Sequence, residues 1–218
     1  MTPLRKADLR SQNSSFSFRR FWACGLLCLL TTACSSGPEL RDRYFRLIGP
    51  ISEGIREKAS SDLTVMVEPF HASGILASER NLLYRDMRVA NETRTYPRYF
   101  WEEQPAVMIR DRVARFLQES GRFRNVVGRD RHILADVTLE GTLESLEQRV
   151  DEKKSEIVLR MSITALRTKD DRVLSNRSYE VVTPTESLEI EKTLESYETA
   201  LARVLKDLEH DLAQQSRF

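Results

Sequence analysis

Ala135-Asp136-Val137-Thr138-Leu139-Glu140-Gly141-Thr142-Leu143 and, after a charged interval, Ile157-Val158-Leu159-Arg160-Met161-Ser162-Ile163-Thr164-Ala165 decide the fold. In both, the core-forming residues recur at every second position, the period at which a strand returns to the same face. Alternation of this length means one buried face and one wetter face, as in antiparallel pairs. The charged interval, residues 147–156, then reads as a hairpin end, and residues 173–182 as a third strand.

Working outward, the period changes from two to 3.6. Residues 105–120 predict a helix: Pro105 suits its first turn and Gly121 the position just past its end. Ile109, Val113, Phe116 and Leu117 share one face, opposite Arg110, Asp111, Arg115 and Glu119, with Asp111 and Arg115 spaced to pair. Residues 190–214 predict a second helix, striped by Leu194, Tyr197, Leu201, Val204, Leu205, Leu208 and Leu212. Its polar face is mixed in sign, which favours packing on the sheet over lying on a membrane. Thr183-Pro184-Thr185-Glu186 has the form of a capping box and offers an earlier start. Shorter strands are expected at 44–48, 63–70, 82–89 and 123–127, with a glycine-containing loop at 73–76. The expected fold class is α/β (α+β): an antiparallel-rich mixed sheet with two main helices packed on one face.

The 218 residues carry 34 Lys+Arg and 33 Asp+Glu, with 40% hydrophobic and 31% charged residues, a balance that suits a folded domain and gives no basic stripe for nucleic acid. The balance is uneven. Residues 1–33 hold Arg5, Lys6, Arg10, Arg19 and Arg20 against Asp8 alone, which leaves 29 basic and 32 acidic groups in the remainder. Behind Arg19-Arg20 comes the apolar run Phe21-Trp22-Ala23-Cys24-Gly25-Leu26-Leu27-Cys28-Leu29-Leu30-Thr31-Thr32-Ala33. It has the length of a signal-peptide core and falls short of the roughly 20 apolar residues that span a bilayer. Leu30-Thr31-Thr32-Ala33-Cys34 resembles a bacterial lipobox, with Leu one place further from the cysteine than usual and Ser35, rather than Asp, after it. The expected organisation is a lipoprotein signal peptide at 1–33, a tether from lipidated Cys34 over 34–42, and one domain at 43–218. Cys24 and Cys28 leave with the leader, so Cys34 is the only cysteine of the mature chain and no intrachain disulfide is possible.

The chemistry-bearing residues form no catalytic constellation. His71, His132 and His210 lack ligand spacing, and no His-Glu-x-x-His, Cys-x-x-Cys, EF-hand loop, phosphate loop or Gly-x-Ser-x-Gly elbow is present. No metal or cofactor is expected beyond a covalent lipid on Cys34. Ser73 beside His71 is the only candidate pair for a hydrolase. The aromatic segment Tyr96-Pro97-Arg98-Tyr99-Phe100-Trp101 has two readings: Phe100 and Trp101 plug the end of the core, or the segment forms an interface or lipid-facing patch.

The order of these features resembles the ABC-type transport auxiliary lipoprotein family, which includes the PqiC lipoproteins. The resemblance rests on the lipobox at Cys34, Tyr44-Phe45-Arg46-Leu47, the strand at 63–69, Gly74-Ile75-Leu76 and Leu83-Tyr84-Arg85. It continues through Trp101 with Pro105, Leu117, Ser120-Gly121-Arg122-Phe123, Val126-Val127, residues 139–147, Ala200-Leu201 and Val204-Leu205. Where the family often has Arg before the tryptophan, this chain has Phe100. The resemblance implies a non-catalytic lipoprotein on the periplasmic face of the outer membrane. It would work with an ABC transporter and an MCE-domain protein in envelope lipid transport, as a homo-oligomeric ring. Tyr84, Tyr99 and Trp101 are the candidate partner-binding residues. The alternative reading is a structural lipoprotein of envelope assembly, unlinked to transport.

Overall fold

The computed structural model describes residues 41–48, 61–89, 91–128 and 133–215. The lipobox and Cys34 lie outside the described residues, as does His132.

The second half of the chain builds the frame. β7 (Val137–Val150), β8 (Ser155–Arg167) and β9 (Arg172–Thr185) form an antiparallel meander. β7 and β8 are joined at residues 151–154, where Asp151 Oδ1 accepts the N–H groups of Lys153 and Lys154, each at 2.8 Å. An aspartate folded onto its own following backbone makes a tight turn. The hairpin end is therefore much shorter than the charged interval suggested, and Glu147–Val150 continue the strand. The β8–β9 turn puts Asp171 at φ 51°, a conformation that Asp tolerates better than most side chains.

β7 is the spine because its other edge is shared. It takes β2 (Ser61–Val67) at Val137–Leu139, β3 (His71–Ala72) at Thr142–Leu143 and β4 (Asn81–Asp86) at Glu147–Val150, all parallel. Beyond them, β6 (Phe123–Gly128) runs parallel to β2, β5 (Arg94–Trp101) antiparallel to β4, and β1 (Arg43–Phe45) parallel to β5. The result is a nine-stranded mixed sheet in which the long pairings are antiparallel, as expected. The parallel short strands were not foreseen. Parallel neighbours need long crossovers, and the helix between β5 and β6 lies in one of them.

That helix, α1 (Pro105–Glu119), has the predicted bounds to within a residue, and Gly121 follows it at φ 65°. Asp111 pairs with Arg110 at 2.8 Å rather than with Arg115. Arg112 is buried and donates to the carbonyl of Ile48 at 2.8 Å, tying α1 to the exit of β1. α2 (Leu194–Gln215) follows a 3₁₀ turn at Ile190–Thr193. The capping-box residues Thr183–Thr185 end β9 instead, so the helix starts well after them.

One core joins both helices to the sheet. β8 contributes Ile157, Leu159, Met161, Ile163 and Ala165, in the alternation read from the sequence. β7 contributes Val137, Leu139 and Leu143, then changes parity to Leu146 and Gln148 across a bulge between Leu143 and Ser145. Gly141 lies where a Cβ would meet the Phe70 ring at 2.6 Å, so the position must stay bare for that ring to cover the strand. No helix among the described residues is long and apolar enough to cross a membrane.

Candidate functional site at the aromatic edge

The segment singled out in the sequence forms β5, and an irregularity in that strand sorts its aromatics. From Thr95 to Phe100 β5 takes five steps, while β4 takes two from Leu83 to Asn81. The extra residues carry exposed Pro97 and Arg98 outward and let both Tyr96 and Tyr99 turn toward the core. Trp101 is 0% exposed and meets Tyr197 of α2 edge to face, with ring centroids 5.2 Å apart. Phe100 has the opposite parity and stacks on Tyr44 of β1 at 5.4 Å, outside the core.

The inward aromatics form a chain of contacts. Tyr84 and Tyr96 lie 4.6 Å apart, Tyr96 meets Tyr99 edge to face at 5.8 Å, and Tyr99 stacks on Phe45 at 5.9 Å. The Arg43 guanidinium lies 5.6 Å from the Phe45 centroid and 5.8 Å from that of Tyr99, and it pairs with Glu191. Tyr99 donates to Glu191 at 2.9 Å, and Tyr96 to the buried Gln148 at 2.7 Å. Of the three residues proposed to contact a partner, the structure leaves Tyr84 and Tyr99 half-buried and puts Trp101 entirely inside.

These contacts set the titration of the edge. The hydrogen bond to Glu191, followed by burial, raises the Tyr99 phenol. Burial would raise Glu191 as well. Hydrogen bonds from its own backbone and from Tyr99, with Arg43 nearby, outweigh that and hold it below its usual range. Burial, then the neighbouring Tyr84, pushes Tyr96 up to about 12, and burial also raises Tyr197 and Tyr179. A phenol whose folded pKa exceeds its unfolded value of 10.0 contributes stability that is fully present below pH 10 and disappears as pH rises toward 12. Denaturant midpoints should therefore decline across that window, and Tyr96→Phe should flatten the decline. A midpoint independent of pH above 10 would contradict this assignment.

A second polar feature lies where β7 passes from β3 to β4. Glu147 is buried and paired with Arg85 at 3.2 Å and Arg149 at 3.1 Å; Arg85 also donates to Thr93 at 3.2 Å. These groups line a cavity of about 290 Å³ together with Ser73 and Gly74. Ser73 and His71 share no hydrogen bond among the described contacts, and His210 sits with Gln214 at 2.7 Å on the exposed side of α2. No cluster of metal-ligating side chains occurs among the described residues.

The sequence signal that could have found the outward pair is strand parity. Tyr44 lies between Arg43 and Phe45, which meet each other on the opposite face of β1, as Phe100 lies between Tyr99 and Trp101.

The architecture, a curled mixed sheet with two packed helices, defines an α/β domain that occurs in solved proteins. A crystal structure of a Xanthomonas campestris protein matches with a TM-score of 0.69 at 18% identity, over 81% of this chain and 100% of that one. A crystal structure of an uncharacterized protein matches with a TM-score of 0.59 at 12% identity, over 79% and 99%. At these identities the likeness shows the fold. No curated protein matches the chain. The model of the ABC-type transport auxiliary lipoprotein component family matches residues 47–209, and the chain belongs to that family. It is a family of transport auxiliary components, not of enzymes.

Proposed function

We propose that this chain is the lipid-anchored subunit of an ABC/MCE-type lipid-transport system and docks that assembly at the periplasmic face of the outer membrane. The family match over residues 47–209 carries the transport part of this reading. The lipobox at Cys34 and the Ser35 that follows support the anchor and its outer-membrane destination. In this reading Cys34 bears the lipid, and the edge around Tyr84 and Tyr99 meets the MCE-domain partner. Trp101 holds β5 in place behind that edge, and the chain assembles as a ring of copies around the partner.

Cross-linking in intact envelopes followed by affinity purification tests the partner. An MCE-domain protein should be recovered with the wild-type chain and lost from a Tyr84→Ala/Tyr99→Ala variant that keeps its thermal stability. If no MCE-domain protein or ABC component is recovered from cross-linked envelopes, the transport reading falls.

A further inference from the structure

We infer that the β1 edge is a second, weak membrane contact, in which the Tyr44–Phe100 pair and Ile48 settle into the lipid interface of the bilayer that holds Cys34. The inference rests on the anchoring reading above and adds a face of the domain to it.

The surface itself is unusual. Tyr44 is 58% exposed on a three-residue strand at the rim of the sheet, and Ile48, three residues past the end of that strand, is 69% exposed. Tyr44 is not loose: it stacks on Phe100 with the ring planes 25° apart. A supported aromatic pair can enter an interface at little cost in side-chain order, and tyrosine suits the headgroup depth because one end is apolar and the other wet. Charged residues flank the pair along the chain: Arg41, Asp42, Arg43 and Arg46 about Tyr44, and Arg98, Glu102 and Glu103 about Phe100. Arg46 lies 3.5 Å from Glu102 and Arg98 3.8 Å from Asp42. These charges can lie among the polar headgroups while the aromatic pair sits at the headgroup boundary.

Chain length selects the occupant. Eight residues lie between Cys34 and Arg43, and the nine steps they make span at most about 32 Å when fully extended. A body of residues 41–218 has a radius of gyration of about 16 Å, so the tether is shorter than the body is wide. The strand that receives the tether is therefore held beside the bilayer, and tethering raises the effective concentration of even a weak contact.

The test uses the full-length chain, expressed with its leader, purified as the processed lipoprotein and reconstituted into phosphatidylcholine vesicles with or without brominated acyl chains. Trp22 leaves with the leader, so the parent protein has only buried Trp101 as an emitter. The Tyr44→Trp variant should lose emission in brominated vesicles relative to plain ones, while the parent loses almost none. Ile48→Trp gives an independent reading should the first substitution disturb the Phe100 stack. Emission equal in both vesicle types for both variants, in protein that floats with the vesicles, overturns the inference and leaves the anchor intact. Protein that does not float overturns the anchor and this inference with it. An emission change that follows protein concentration instead of bromination assigns the edge to a second copy of the chain and also overturns the inference.

Discussion

Trp101→Ala is expected to lower the unfolding free energy by about 3–5 kcal/mol, the range for removing a large aromatic from a core. Domains of this kind have only about 5–15 kcal/mol in total, so the variant should be depleted in cells as well as in the tube. The indole is fully enclosed, and its edge-to-face contact with Tyr197 joins the last strand before α1 to the first turn of α2. One feature moderates the loss. Neither the indole N–H nor the Tyr197 hydroxyl has a hydrogen-bond partner among the described residues, so part of the burial is already unfavourable. Trp101→Phe should therefore cost much less, under about 1.5 kcal/mol, because it keeps an aromatic in the slot and removes the unpaired N–H. Denaturant unfolding of the two variants checks both values. If Trp101→Ala unfolds like the parent yet no longer recovers the partner, the residue acts at an interface and not in the core.

Cys34→Ala should have the second large effect. Two acyl chains hold a protein durably where one holds it marginally, and no helix of the described domain can cross a bilayer to replace them. The wild-type product should lack residues 1–33, incorporate a labelled fatty acid and stay with membranes through high-salt washing. The variant should incorporate no fatty acid, retain the leader and lose the wild-type location. Intact mass and membrane fractionation read both outcomes. An unchanged location without acylation would remove the lipid from the account.

Much of the frame was legible because local pattern and global burial agree in it. β8 alternates from Ile157 to Ala165 with one exception, Val158, which is buried outside the main core cluster, and the core residues of β8 are those named from its period. α1 is bracketed by Pro105 and Gly121, two residues with conformational preferences of their own. What escaped was set by pairing between distant segments. The bulge in β7 after Leu143 changes parity without a glycine or proline at the break, so the alternation seemed to end where the strand continues. The β5 irregularity likewise turns Tyr96 and Tyr99 to one side, although residues three apart on a regular strand face opposite ways. Aromatic content marked the right segment, but the partition of its side chains between core and surface depended on neighbours far away in sequence.

The late position of the spine in the chain also sets an order of assembly. β2, β3 and β4 must wait for partners that are synthesised roughly seventy residues after them, a separation that slows folding by making its key contacts distant. Until that final portion arrives, the leading segments have only one another to pair with: β4 and β1 with β5, and β2 with β6. On the export route proposed above, such procrastination is an asset: a sheet that closes late leaves the chain open while it crosses the translocation channel.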